Sequence, residues 1–200
     1  SLLDLPVDYE ELTKAGSMMG SGGMIVMDED TCMVDTARYF LNFLKGESCG
    51  KCVPCREGIK QALAILERIT RGEGREEDIA TLEEIGAYQV DSSLCALGQS
   101  ASNPVLSTIR YFRNEYETHI RDRYCPSGVC KSLFRYLVNA EACTGCMACK
   151  KVCPVNAVEG ERKLPHLIKQ DLCIKCGACY DACRFDAIER ARNAVAGVKE

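Results

Sequence analysis

Cys143-Thr144-Gly145-Cys146-Met147-Ala148-Cys149-Lys150-Lys151-Val152-Cys153-Pro154 and Cys173-Ile174-Lys175-Cys176-Gly177-Ala178-Cys179-Tyr180-Asp181-Ala182-Cys183-Arg184 spell one cysteine run twice, thirty residues apart. Each reads C-x2-C-x2-C-x3-C, a spacing whose thiolates hold [4Fe–4S] clusters. Upstream, Cys49, Cys52 and Cys55 form a third C-x2-C-x2-C, with Cys95 as its natural distant partner. An iron–sulfur cube has four iron corners, each taking one thiolate. Three cysteines spaced by two residues wrap a short loop over one face and turn backbone N–H groups toward the sulfides, where they stabilise added negative charge. The fourth corner has to be reached from elsewhere in the chain. Twelve of the fifteen cysteines are absorbed in this way, into three clusters, and that number of redox centres in 200 residues means electron transport.

The rest of the composition is compatible with this reading. Hydrophobic residues make up 46 % and charged residues 27 %, ordinary for a soluble globular chain, and the formal charge of −4 shows no basic excess for nucleic acid. Three clusters would add roughly −6, about −2 from each core with its four thiolates. No apolar stretch is long enough to span a membrane, and the N-terminus has no export signal, so the expected location is cytoplasmic. An odd cysteine count with thiols two residues apart argues against disulfides. Zinc at all three places is also disfavoured, because two C-x2-C hooks face each other at a zinc site.

Residues 1–30 read as the tail of a preceding domain and a linker: the chain opens on Ser1 and runs through polar turns into Gly20-Ser21-Gly22-Gly23 and a strand-like Met24-Ile25-Val26-Met27. These glycines do not make a nucleotide loop, since Ile25 stands where a third glycine would fall and the glycines precede the strand. Over 31–124 the period is helical. Val34, Ala37, Phe40, Leu41 and Leu44 line a first helix capped by the acidic run Asp28-Glu29-Asp30-Thr31. Ile59, Ala62, Leu63, Leu66 and Ile69 mark a second that stops at Gly72, and Ile79, Leu82 and Ile85 a shorter third. Asn103-Pro104 is an N-cap and N1 pair for a fourth. Residues 125–134 are a linker. Residues 135–190 repeat one unit twice: an approach strand (Tyr136-Leu137-Val138, then Leu167-Ile168-Lys169), a cysteine loop and a short helix. Residues 191–200 are a tail. The fold class is α+β, a four-helix bundle with one [4Fe–4S] site followed by a two-cluster domain.

The doubled run resembles the two-cluster bacterial ferredoxin. That resemblance implies crossed ligation, in which the last cysteine of each run serves the other half. One cluster then takes Cys143, Cys146, Cys149 and Cys183, and the other takes Cys173, Cys176, Cys179 and Cys153. Pro154 fits the pattern; Arg184 departs from it and bears on exposure or potential without removing a ligand. The earlier segments resemble a second family. Glu47 to Gly58, the Leu94-Cys95-Ala96-Leu97-Gly98 context and Tyr111 to Glu117 are similar to the C-terminal iron–sulfur region of the NADH-binding flavoprotein subunit of respiratory complex I. Its relatives with an appended ferredoxin unit are beta subunits of NAD(P)-linked [FeFe]-hydrogenases, many electron-bifurcating, and of similar formate dehydrogenases.

The resemblance implies a preceding domain that binds FMN and NAD(P)H through glycine-rich loops that this sequence lacks. The fragment on its own is then not expected to oxidise NADH. It also implies partners: a thioredoxin-like [2Fe–2S] subunit, a catalytic hydrogenase or formate dehydrogenase subunit, and soluble ferredoxin. The expected function is a relay of single electrons through the three clusters. Its rivals are a stand-alone ferredoxin-like carrier, and a docking adaptor whose bundle cluster is a staple.

Three thiols remain. Cys125-Pro126-Ser127-Gly128-Val129-Cys130 is a C-x4-C turn six residues after His119, and together with Cys32 these side chains make a candidate structural Zn²⁺ site. The alternative is a buried Cys32 and two free thiols. His166 reads as a surface loop residue. Lys150, Lys151, Lys175 and Arg184, beside the clusters, either steer an acidic partner or simply solvate their loops.

Overall fold

The computed structural model describes residues 4–193. Among these residues eight α-helices and four short strands follow one another in two parts, each with its own apolar core.

The first part is helical. After a single-turn α1 (Tyr9–Lys14) come α2 (Met33–Glu47), α3 (Val53–Thr70), α4 (Asp78–Ser92), the short α5 (Ala96–Ser100) and α6 (Asn103–Arg121). The residues whose 3.6 period marked these helices are the ones that bury: Val34, Ala37 and Leu41 from α2; Ile59, Leu63, Leu66 and Ile69 from α3; Ile79 and Leu82 from α4; Val105 and Ile109 from α6. Each such Leu or Ile contributes roughly 1.5–3 kcal/mol by leaving water. Helix α2 packs on α3 and α6, α4 on α3 and α6, so the four long helices enclose one core. Helix α3 stops at the expected Gly72, where the Gly72 N–H reaches the Ile69 carbonyl and the Glu73 N–H the Arg68 carbonyl. At the start of α6 the cap sits one residue earlier than it was read: Ser102 is the N-cap and Asn103 the first helical residue.

Three expectations are corrected. The N-cap of α2 is Cys32, whose sulfur accepts the Asp35 N–H, and not the acidic run before it; Glu115 on α6 accepts the Met33 N–H. Helix α4 is as long as α2, at 15 residues each. Met24 to Met27 form no strand: with no neighbouring edge to pair with, Met24, Ile25 and Val26 stay 67–87 % exposed.

One buried polar pair fixes the turn between α3 and α4. Asp78, 1 % exposed, takes the guanidinium of Arg68 through both carboxylate oxygens and also accepts the Arg75 N–H at 2.9 Å. Asp78→Ala strands the Arg68 charge and that amide together. It should lower stability by about 2–3 kcal/mol, Arg68 retaining some access to water. An anaerobic urea midpoint followed by circular dichroism measures it, and a loss below about 0.5 kcal/mol would count against the pair.

In the second part a 3-10 turn (Lys131–Leu133) leads into β1 (Phe134–Val138), then α7 (Ala148–Val152), β2 (Val158–Glu159), β3 (Leu167–Ile168), α8 (Ala178–Asp181) and β4 (Ile188–Arg192). Both expected approach strands are present, as β1 and β3. Each pairs antiparallel with the strand that leaves the other cysteine run: Val138 with Ile188, and Ile168 with Val158. Strand β4 reaches Arg192, two residues into the segment read as a tail; residues 194–200 of that segment lie outside the described residues. The backbone itself repeats with the thirty-residue offset. Gly145 and Lys175, Met147 and Gly177, Asn156 and Asp186 are left-handed pairs, with φ between +47° and +85°. The Cys143 N–H reaches the Asn139 carbonyl as the Cys173 N–H reaches the Lys169 carbonyl.

Candidate metal centres

The antiparallel pairings decide which cysteines meet. Beyond Cys183 the chain runs back along the strand that enters the first cysteine loop, with the Asn139 N–H donating to the Ala187 carbonyl. Beyond Cys153 it runs along the strand that enters the second, with the Lys169 N–H donating to the Ala157 carbonyl. A small cavity is accordingly lined by Cys143, Cys146, Cys149 and Cys183 among apolar side chains such as Val138, Phe185 and Ile188. A second is lined by Cys173, Cys176, Cys179 and Cys153, with Tyr136, Val158 and Ile168. The Ala187 N–H reaches the Cys183 sulfur at 3.4 Å and the Ala157 N–H the Cys153 sulfur at 3.2 Å, so each distant thiol is held toward its cavity by an amide.

The donor sets suit a cationic inorganic core. Burial, followed by the nearby Cys173, pushes the Cys179 thiol up to about 11, and burial also raises Cys149. Four converging thiols in apolar surroundings resist ionising together unless a cation sits among them. His166 is where the sequence reading fails. It is 4 % exposed, not a surface residue, and its Nδ1 lies 3.8 Å from the Cys143 sulfur and its Nε2 3.2 Å from the Met147 sulfur. Aligning the halves on their offset pairs His166 with Tyr136, a buried aromatic, and would have flagged it.

The upstream triplet sits at the start of α3, whose free N–H groups face it: Cys52 is the N-cap, Pro54 lies in the first turn, and Cys55 is 4 % exposed. The loop carrying Cys95 folds back over it. The Leu94 backbone amide beside Cys52 holds its thiol pKa down, and Gly98 comes so close that a Cβ there would stand 3.2 Å from the Cys55 Cβ. Cys49 and Cys95 are exposed at this seam. Ser48 Oγ lies 3.3 Å from the Cys55 sulfur, and Ser93 Oγ is buried with no hydrogen-bond partner among the described residues. An orphaned hydroxyl beside converging thiols fits a sulfide-rich group as its acceptor. Neither serine carried a sequence signal.

Cys32, His119, Cys125 and Cys130 form a group of a different kind. Their ligand atoms all lie within 4.8 Å of one another, and every one of the four side chains is buried. Cys32 stands at the N-terminus of α2, His119 in the last turn of α6, and the other two in the turn that follows. The Cys32 sulfur is 3.3 Å from His119 Nε2 and 3.8 Å from the Cys130 sulfur. His119 Nδ1 lies 2.7 Å from the Glu115 carbonyl, which it bonds as an N–H donor, leaving the Nε2 lone pair to the thiols. The Cys130 N–H donates to the Cys125 sulfur at 3.5 Å.

Residues 35–119 match the NADH-ubiquinone oxidoreductase-F iron-sulfur binding region, and residues 135–184 match the 4Fe-4S dicluster domain. The NADP-reducing hydrogenase subunit HndC of Solidesulfovibrio fructosivorans is 51 % identical over 164 residues, 82 % of this chain and 34 % of that one. The F-type subunit of the NADH-quinone oxidoreductase of Mycobacterium tuberculosis (strain H37Rv) is 46 % identical over 124 residues, 62 % of this chain and 28 % of that protein. The chain thus spans about a third of the length of these curated relatives. A crystal structure of NAD+-reducing [NiFe]-hydrogenase in the H2-reduced state is similar over 48 % of this chain and 17 % of its own, at 32 % identity and a TM-score of 0.46. Among the described residues no helix is long and apolar enough to cross a membrane.

Proposed function

We propose, from the premise that this chain is an iron–sulfur electron-transfer region of the NADH-ubiquinone oxidoreductase-F type joined to a dicluster 4Fe-4S domain, that it relays single electrons through three [4Fe–4S] clusters. The convergence of each cysteine triplet of the second part with the last cysteine of the opposite run carries the reading. Cys143, Cys146, Cys149 and Cys183 would hold one cluster, Cys173, Cys176, Cys179 and Cys153 the second, and Cys49, Cys52, Cys55 and Cys95 the third, in a four-helix bundle. When bound, the clusters supply one-electron storage at potentials that the surrounding protein sets.

The chain's own residues do the rest. The α3 N-terminus and the Leu94 N–H stabilise the added charge at the bundle site, and the exposed Cys49 and Cys95 bring that site to the surface. The apolar side chains around the other two cavities keep water from them. Electrons would come from an FMN and NAD(P)H site in a preceding region, directly or through a thioredoxin-like [2Fe–2S] subunit, and pass to a hydrogenase or formate dehydrogenase subunit or to ferredoxin, with electron bifurcation one such arrangement in the cytoplasm. Cys32, His119, Cys125 and Cys130 would hold a structural zinc ion, which needs no open coordination position.

Anaerobic reconstitution tests the relay. Roughly twelve iron and twelve acid-labile sulfide per chain are expected, with three one-electron signals by electron paramagnetic resonance (EPR) on reduction. A folded preparation that holds fewer than about eight iron, or clusters that dithionite does not reduce, would overturn it.

A further inference from the structure

The thirty-residue repeat makes the two cavities of the second part near-copies, so a residue that differs between equivalent places can make two chemically identical clusters behave differently. Tyr136 lines the cavity of Cys173, and its counterpart His166 lines the cavity of Cys143. Their neighbours exchange in step. The Tyr136 hydroxyl lies beside Gly177, 3.4 Å from where a Cβ would stand, while His166 Nε2 lies 3.2 Å from the sulfur of Met147, the counterpart of Gly177. Gly160 makes the room: a Cβ there would fall 2.7 Å from the His166 ring.

We infer that His166 is a positioning residue that donates an N–H···S hydrogen bond through Nδ1 to Cys143, and so makes the cluster of the first cavity easier to reduce than the same cluster without it. The bond is 3.8 Å long and partly buried, with the His166 side of it out of water. A cluster-bound cysteine is a thiolate, which only accepts, and the thioether of Met147 accepts too, but weakly; the charged sulfur is the stronger acceptor, so a ring with one N–H carries it on Nδ1 toward Cys143 and turns the Nε2 lone pair to Met147. Reduction adds one negative charge to the thiolate and sulfide surface, and a donor fixed against that surface in apolar surroundings stabilises it. Tyr136 brings no such donor to Cys173: among the described residues no hydrogen bond joins its hydroxyl to a cysteine sulfur, and that hydroxyl lies beside Gly177. The Lys175 ammonium, bonded to the Lys131 carbonyl at 2.6 Å, adds positive charge near the second cavity, so the effect is read within one cluster and not from the order of the two.

The inference rests on the cluster reading above. Its test is an anaerobic redox titration of the full chain, followed by EPR, in which the first-cavity signal is the one that Cys146→Ala removes. His166→Phe should shift the reduced-to-oxidised ratio of that cluster about tenfold toward oxidised at fixed potential, which is about 59 mV for a one-electron couple. The other two clusters should not move. His166→Asn, whose amide N–H falls near the Nδ1 position, should recover at least half of the shift, whereas His166→Gln, whose amide reaches toward Met147, should not. If His166→Phe sheds the cluster, the Asn and Gln pair decides in its place. Intact iron content with less than a twofold shift in both Phe and Gln variants overturns the inference and leaves the relay standing. Absence of clusters from the unsubstituted protein overturns both.

Discussion

Cys183→Ala should remove the cluster of the first cysteine run and spare that of its own. In the run of the sequence Cys183 stands four residues after Cys179, yet its sulfur lines the cavity of Cys143, Cys146 and Cys149. Strand β4 is the cause. It zips antiparallel onto β1 in the register Val138 to Ile188, and the Ala187 N–H holds the Cys183 sulfur toward the first loop. Double variants turn this geometry into arithmetic, because losses within one site do not add and losses at separate sites do. Starting from roughly twelve iron, Cys183→Ala with Cys146→Ala should leave about eight, the same as either alone. Cys183→Ala with Cys176→Ala should leave about four. Ligation of each run to its own cluster would exchange these two results.

What the sequence made legible, and what it hid, follows from how local each cause is. A thiol triplet is one turn of chain, so its spacing can be read without knowing the fold. The amphipathic faces of α2, α3, α4 and α6 are equally local, each carried by residues three and four apart. Crossed pairing is not local: β2 is only Val158 and Glu159, too short to show an alternation, and it forms because β3 offers an edge. The burial of His166 depends on Gly160 and Met147, six and nineteen residues away, so no helix or strand period shows it and only the thirty-residue offset to Tyr136 points to it. Met24 to Val26 show the converse, a strand-like composition with no partner edge and hence no strand. The Cys32 cap lies between these cases. A cysteine at a helix start has no cap signal as strong as the acidic run before it, and its sulfur takes that place where His119 and Cys130 also converge.

That convergence sets the second large effect: about one zinc per chain, held with a strength on which the folded state of the helical part depends. Zinc bonds of about 2.3 Å to sulfur and 2.0–2.1 Å to nitrogen put tetrahedral S···S edges at roughly 3.8 Å and S···N edges at roughly 3.5 Å. The Cys32 to Cys130 separation is 3.8 Å and the Cys32 to His119 separation 3.3 Å. A four-iron cube spreads its thiolates wider, and Cys32, His119, Cys125 and Cys130 are too close together for one. The ligands join the start of α2, the end of α6 and the turn before β1, so their loss opens the seam between the helical core and the second part. Structural zinc contributes on the order of 10 kcal/mol in small domains. This chain also has two apolar cores, the helical one including Cys32, Cys125 and Cys130, so a loss of at least about 4 kcal/mol is expected, the smaller share reflecting what packing retains. His119→Ala should lower zinc to well under one per chain while iron stays near twelve, since the clusters use other thiols. Cobalt substituted for zinc should give the visible bands of a tetrahedral site with three sulfur ligands and one nitrogen, and His119→Ala should abolish them. A wild-type preparation with full iron, grown in zinc-replete medium and holding less than about a tenth of a zinc per chain, would leave Cys32 a helix cap and Cys125 and Cys130 free thiols.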